Sequence, residues 1–104
     1  MTYVRVAALS ELEEDTPRRV DLNGTPVSLV RTDGEVFAVN DICSHANVSL
    51  SEGEVDDCTI ECWLHGSRFD LRTGAPIGLP ATKSVPTYPV TVIGDEIFVN
   101  VEKE

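Results

Sequence analysis

The chain has 104 residues, of which 41% are hydrophobic and 25% charged, a composition typical of one soluble globular domain, here residues 1–104. Eighteen Asp and Glu residues against eight Lys and Arg residues give a formal net charge of −10, which argues against nucleic acid or an anionic membrane as a partner. No apolar run approaches the roughly 18 residues that a membrane helix needs. The N-terminus also lacks the basic start and apolar middle of a signal peptide, so we expect a cytoplasmic protein.

Short alternating runs separated by turn signals predict strands from the start of the chain. Val4 and Val6 alternate with Arg5, as in a strand with one buried face. Residues 10–13 (SELE) have the spacing of a capping box and predict a single helical turn. Three dipeptides that tolerate positive φ predict tight turns between strands. These turns are Asn23-Gly24 between residues 20–23 and 26–31, Asp33-Gly34 before residues 35–40, and Gly94-Asp95 between residues 91–93 and 96–101.

Two segments, residues 41–50 and 63–80, do not follow the strand pattern and are predicted to be loops. The regularly spaced strands around them indicate an all-β sandwich or barrel. Because loops on a rigid scaffold often carry function, we expect the functional residues in these two segments.

Both histidines of the chain lie in these segments, each shortly after a cysteine. The pairs are Cys43-Ser44-His45 and Cys62-Trp63-Leu64-His65, and the chain has no other histidine. Two thiolates and two imidazoles could bind Zn²⁺, but zinc sites usually place two Cys in one arm and two His in the other. One Cys and one His in each arm suit a binuclear cluster, in which one iron takes both cysteines and the other takes both histidines.

The third cysteine, Cys58, makes the cysteine count odd, which argues against a disulfide framework in a chain without a secretion signal. It lies in residues 56–60 (DDCTI), a predicted turn into a strand, and we expect it to be a buried residue that behaves as a small apolar side chain.

At the two cysteine–histidine pairs the sequence resembles the Rieske family, and Gly66-Ser67, residues 68–70 (RFD) and Thr73-Gly74 extend the likeness. The resemblance implies an antiparallel β-sandwich or barrel with two cluster-binding loops at one tip. It also implies one [2Fe–2S] cluster of the type in which two His replace two Cys on one iron. The metal and cofactor ligands that it implies are Cys43, His45, Cys62 and His65.

Departures from the family pattern indicate which kind of Rieske protein this is. Members in respiratory and photosynthetic complexes carry two extra cysteines that form a disulfide, but here the matching residues are Val48 and Leu64. Those members also have a tyrosine whose hydroxyl bonds a ligand sulfur, whereas Phe69 has no donor. Losing a hydrogen bond to a cluster sulfur lowers the reduction potential, so we predict a low-potential cluster of the ferredoxin kind.

Three features near the cysteine–histidine pairs lead to expectations about single residues or short segments. Trp63 either shields the cluster, stacks on a partner or fills the core. Gly66 is expected to permit a tight turn beside His65. Residues 74–80 (GAPIGLP) resemble the proline-containing loop that covers the cluster in this family.

We therefore predict an electron carrier and not an enzyme. The resemblance implies that it passes one electron from a flavin-dependent ferredoxin reductase to a terminal ring-hydroxylating oxygenase or another redox acceptor. Between Arg31 and Arg68 there is no Lys or Arg, which favours a basic docking surface on the partner, although the same charge could serve solubility alone. The acidic residues of that stretch include Glu35, Asp41, Glu52, Glu54, Asp56, Asp57 and Glu61.

Two other functions stay open from the sequence alone. One is an accessory Rieske protein of iron–sulfur cluster assembly or redox sensing, which would bind a similar cluster. The other is a zinc-bound interaction module, which would use the same four residues without redox chemistry.

Overall fold

The computed structural model describes residues 3–22, 24–43, 48–63, 66–77 and 83–101. Within these ranges the regular structure consists of strands and two short 3-10 turns, Leu9–Glu11 and Leu50–Glu52, with no α-helix. None of the helical segments described is long and apolar enough to cross a membrane. The predicted all-β class is therefore confirmed.

In the described residues, eleven strands form three antiparallel sheets. In spatial order, the first sheet contains β1 (Val4–Ala8), β11 (Glu96–Val99) and β10 (Val90–Ile93). The second contains β2 (Arg18–Leu22), β3 (Thr25–Thr32), β4 (Glu35–Asn40) and β9 (Thr87–Tyr88). The third contains β5 (Val55–Asp56), β6 (Thr59–Glu61), β7 (Arg68–Asp70) and β8 (Pro76–Ile77).

The turns between sequential strands lie where the dipeptides predict them. Asp33 and Gly34, with φ of 59° and 77°, connect β3 to β4, and two central residues with positive φ match the right-handed twist of a hairpin. Gly24 (φ 86°) and Gly94 (φ 61°) lie in the turns before β3 and β11. Asn23 lies outside the described residues.

The predicted helical turn forms two residues earlier than expected. Its bounds are Leu9–Glu11, and Glu11 Oε1 accepts a hydrogen bond from Ala8 N at 3.0 Å. Ser10 instead donates from its backbone N and its Oγ to the carboxylate of Asp95, at 3.1 and 3.0 Å. The prediction that Ser10 begins a capping box with Glu13 is therefore wrong, because a carboxylate from the β10–β11 turn takes both of its donors.

The segment 63–80, predicted to be a loop, contains β7 and β8, so that prediction is wrong for these residues. Phe69 in β7 lies opposite Ile60 in β6, and both side chains are fully buried. Strands of two or three residues show too little alternation to be distinguished from loops in the sequence, and cross-strand pairing defines them here.

Two hydrophobic cores lie on opposite faces of the second sheet. Side chains of β3 alternate between them, because successive residues of a strand point to opposite faces. Val30 belongs to the first core, shared with the third sheet, and Val27 and Leu29 belong to the second, shared with the first sheet. The first core contains Val30, Val39, Cys43, Leu50, Val55, Ile60, Cys62, Phe69, Leu71 and Val85.

Two glycines with nearly equal φ provide a test of this packing. Gly74 (φ 78°) closes the segment that follows β7, where Val85 N donates to Gly74 O at 2.9 Å, and a Cβ on Gly74 would lie 2.1 Å from Val85 O. Gly34 (φ 77°) has open space around it. Gly34→Ala is expected to lower the free energy of unfolding by about 1–2 kcal/mol, the cost of a left-handed alanine.

Gly74→Ala is expected to lower the free energy of unfolding by about 2–4 kcal/mol, since the Val85 carbonyl must also move. Urea denaturation of the two variants measures the difference. Equal decreases in the free energy of unfolding would show that the close approach of Gly74 to Val85 does not contribute to the cost of the substitution.

Candidate metal centre

The first predicted ligand loop begins at Cys43, three residues after the end of β4. Cys43 N donates to Val48 O at 3.0 Å, and Ile42 and Ser49 form a β-bridge, so the two ends of the loop are held together. The cysteine is only 3% exposed. His45 lies outside the described residues, as do the other residues of 44–47.

The second loop begins at Cys62, directly after β6, and is closed in a similar way. Cys62 N donates to Ser67 O at 2.6 Å, and Gly66 N donates to Cys62 O at 2.8 Å. Gly66 has φ 78°, which confirms the tight turn expected there. His65 lies outside the described residues, together with Leu64.

Cys43 and Cys62 are brought together in the first core although 18 residues separate them in the chain. Neither cysteine forms a disulfide, and both are buried, Cys62 completely. Within the described ranges no group of three or more His, Cys, Asp and Glu side chains could hold a metal ion.

Cys58 lies apart from this pair. It occupies the turn between β5 and β6, where Asp57 and Cys58 have φ of 55° and 59°, and its half-buried side chain packs against the first core. The strand β6 separates it from Cys62, and four residues of extended chain span about 13 Å. Burial raises the pKa of the Cys58 thiol, and the positive charge of Arg72 offsets part of the increase. The predicted turn is confirmed, but the side chain is half-buried and not fully buried.

Trp63, the residue after Cys62, is 48% exposed. The interpretation of Trp63 as a core side chain is therefore wrong, because Trp63 belongs to neither hydrophobic core and about half of it is in solvent. Ile77, which precedes residues 78–82, is 50% exposed. Of the predicted covering segment 74–80, residues 78–80 lie outside the described residues.

The acidic stretch between Arg31 and Arg68 does not form one surface. Asp41 is completely buried, so its inclusion in an acidic surface is wrong. Glu35 forms an ion pair with Arg72, whose Nη1 lies 3.2 Å from Glu35 Oε2. Glu52 and Glu54 are exposed in the segment that follows the first ligand loop.

A second acidic group lies at the other end of the sheets. Asp33 and Asp57 line a cavity of about 220 Å³, together with Glu14, Asp15, Thr32 and Cys58. Asp33 lies at the β3–β4 turn, and the six residues of β4 place that turn about 20 Å from the first ligand loop.

The family model of the Rieske [2Fe–2S] domain matches the sequence of this chain over residues 2–89. The chain belongs to the Rieske family. It is 44% identical to the ferredoxin subunit of 3-phenylpropionate/cinnamic acid dioxygenase from Photorhabdus laumondii, over 100% of this chain and 99% of that relative.

Solved structures agree with this membership. The ferredoxin of carbazole 1,9a-dioxygenase from Nocardioides aromaticivorans has a TM-score of 0.91 and 44% identity, covering 95% of this chain and 97% of that one. A ferredoxin chain in a complex of reduced oxygenase and oxidised ferredoxin from carbazole 1,9a-dioxygenase has a TM-score of 0.92 and 36% identity, covering 98% and 95% of the two chains.

The Rieske domain implies one [2Fe–2S] cluster and the role of an electron carrier, not an enzyme. The described residues fit such a group, because two buried thiols lie in one apolar core and soft thiolates suit iron–sulfur clusters. Phe69 is fully buried in the same core and has no hydroxyl to donate. Val48 packs against that core, at the position where the Rieske proteins of respiratory and photosynthetic complexes have a disulfide cysteine. Backbone hydrogen bonds from Cys43 N to Val48 O and from Cys62 N to Ser67 O connect the described ends of the two loops.

The raised pKa of Cys58 leads to a test of its reactivity. A higher pKa leaves a smaller thiolate fraction at any pH below it, and the thiolate is the reactive form. Alkylation by iodoacetamide at pH 8 is therefore expected to be slower than that of an unstructured cysteine peptide, and its pH profile is expected to lie at higher pH. Mass spectrometry locates the label, and Cys58→Ser, which lacks this thiol, is the control. A rate equal to that of the peptide would contradict the effect of burial.

Proposed function

We propose that this Rieske protein is the ferredoxin component of an aromatic-ring dioxygenase system. It accepts one electron from a flavin-dependent ferredoxin reductase and passes it to a terminal oxygenase. The observation that carries the proposal is the full-length similarity to a dioxygenase ferredoxin subunit, 44% identical over 100% of this chain. A related ferredoxin, 36% identical, occurs in a solved complex with its oxygenase.

We further propose that Cys43 and Cys62 bind one iron, and that His45 and His65 bind the other. The burial of both thiols at the bases of two closed loops supports this assignment, as does the position of one histidine shortly after each cysteine. The bound cluster supplies reversible one-electron chemistry. The protein's own contribution is to hold the thiolates in a core that excludes water and to fix the loop ends by backbone hydrogen bonds.

We also propose that residues 1–104 form a single domain and that the protein is cytoplasmic. The two cores share the strands β3 and β4, so neither core could form without the second sheet. The relatives are ferredoxin subunits of dioxygenases, which favours this role over cluster assembly, redox sensing or a zinc-bound interaction module.

Substitution of single cysteines tests the ligand assignment, and the chain offers its own control. Cys43→Ser and Cys62→Ser are each expected to abolish the visible absorption and the EPR signal of the dithionite-reduced protein, because a serine hydroxyl is a poor replacement for a soft thiolate. Cys58→Ser is expected to keep both signals. A Cys58→Ser variant that loses its cluster, with Cys62→Ser retaining one, would overturn the assignment.

Substitution of the second histidine tests the other iron. His65→Cys is expected to retain a cluster with an altered EPR spectrum and a lower reduction potential, because thiolate is a more negative ligand than imidazole. An unchanged spectrum would show that His65 is not a ligand.

We propose that partners dock over the ligand loops, where the electron has the shortest path to the cluster. Trp63 offers exposed aromatic surface directly after Cys62, and exposed tryptophan is common at the centres of interfaces. The carboxylates of Glu52 and Glu54 are exposed and lie in the chain between the two ligand loops. Their negative charge favours a basic docking surface on the reductase and the oxygenase.

The rate of electron transfer from the reduced protein to a terminal oxygenase tests this docking surface. With the oxygenase of the 3-phenylpropionate/cinnamic acid dioxygenase system as the probe, the stopped-flow rate is expected to fall as salt rises, since salt screens exposed charges. Replacing Glu52 and Glu54 with Gln is expected to lower both the rate and its dependence on salt.

The matched control replaces two carboxylates of the far end, Asp15 and Asp57, with Asn. Both have φ near 60°, which asparagine tolerates, so the charge changes without backbone strain. This control should leave the rate nearly unchanged. Equal effects of the two double variants would mean that net charge, and not a surface beside the loops, governs the rate.

A further inference from the structure

Asp41 is a fully buried carboxylate at the base of the first ligand loop. Its Oδ1 accepts a hydrogen bond from Ser51 N at 2.8 Å, and its backbone O accepts one from Leu50 N at 2.6 Å. Its backbone N donates to Pro26 O in β3 at 3.0 Å. One residue thus connects the start of the loop to its end and attaches both to the second sheet.

The other carboxylate oxygen, Oδ2, has no hydrogen-bond partner among the described residues. Its charged neighbour is the guanidinium of Arg19 in β2, with Nη1 3.6 Å away. The same Nη1 donates to Ser49 Oγ at 3.3 Å. Arg19 is 45% exposed while Asp41 is 0% exposed, so the arginine covers the carboxylate from the solvent side.

A buried charge so close to the loop acts on whatever Cys43 binds. Asp41 precedes Cys43 by two residues, so their Cα atoms are about 7 Å apart or less. Charges in the protein interior are screened much less than exposed ones. Negative charge at this distance disfavours the addition of an electron to a cluster bound at Cys43, and the positive charge of Arg19 opposes that effect.

We propose that Asp41 and Arg19 form a positioning pair that holds the first ligand loop and sets the reduction potential of the cluster through two opposed charges. The inference rests on the proposed assignment of Cys43 as a ligand. Asp41 acts through the loop and through its field, without touching the cluster itself. The pair therefore has two separable functions, one in geometry and one in electrostatics.

The electrostatic function predicts shifts of opposite sign. Asp41→Asn keeps an oxygen for the hydrogen bond from Ser51 N but removes the buried negative charge, so the reduction potential is expected to rise. Arg19→Gln removes the compensating positive charge, so the potential is expected to fall. The charge-neutral double variant is expected to lie between the two single variants, because the lost charges have opposite effects.

The measurement is a redox titration of each purified, cluster-loaded protein, followed by visible absorption at fixed pH and ionic strength. Arg18→Gln is the matched control for the arginine, because it removes the same charge from the neighbouring residue, which lies on the opposite face of β2. Asp56→Asn is the control for the carboxylate, since Asp56 is exposed in the third sheet. Both controls should shift the potential less than the corresponding variant of the pair.

The geometric function is read from the rate at which the visible absorption disappears on incubation at raised temperature. Asp41→Ala, which loses the oxygen that accepts from Ser51 N, is expected to lose its cluster several-fold faster than Asp41→Asn. If the alanine variant does not fold, the redox titrations of Asp41→Asn and Arg19→Gln still decide the electrostatic function.

Shifts of the same sign in Asp41→Asn and Arg19→Gln, or shifts no larger than those of the controls, would overturn the proposal, because a purely structural pair has no reason to move the potential in opposite directions. Failure of the underlying assignment is recognised separately. In that case Cys43→Ser would retain the cluster spectrum, whatever the potentials of the Asp41 and Arg19 variants.

Discussion

The burial of Cys43 and Cys62 in one hydrophobic core is the constraint on which the functional end of this protein depends. Cys62 lies directly after β6 and Cys43 three residues after β4. The loop beyond each thiol is closed by backbone hydrogen bonds, to Val48 in one case and to Ser67 in the other. The strands on both sides of the core must therefore pair correctly before the two thiols meet. Because buried backbone groups need partners, closing the loops also satisfies the polar groups that the cysteines bring into the core.

Charge is distributed unevenly around this centre. The exposed Glu52 and Glu54 lie beside the ligand loops, whereas Asp33 and Asp57 gather with other acids at the far ends of the hairpins. Asp41 is different from both groups, because it is buried and held by Ser51 and Arg19. The carboxylates behind the net charge of −10 thus fall into at least three groups. These groups have separate consequences for docking, solubility and the reduction potential.

Sequence patterns predicted the parts of the fold that depend on neighbouring residues. The turn at Asp33-Gly34 and the strand Glu35–Asn40 were predicted at the positions observed, because a type I′ turn needs residues that tolerate positive φ. The strands β7 and β8 were missed, since two or three residues carry little periodic signal. The capping box at Ser10 was misplaced because Asp95, 85 residues away in the chain, captures the donors of that serine.

The sequence by itself determined the chemistry of the site: two Cys–His pairs at a spacing that matches the Rieske family, in loops between short strands. Ligand type and loop spacing are local properties, so one chain is enough to read them. Only the tertiary structure decided that Cys43 and Cys62 share a core, that Trp63 is exposed and that Asp41 is buried beneath Arg19. Burial depends on contacts between residues far apart in the chain, and no local pattern records which carboxylate those contacts will enclose.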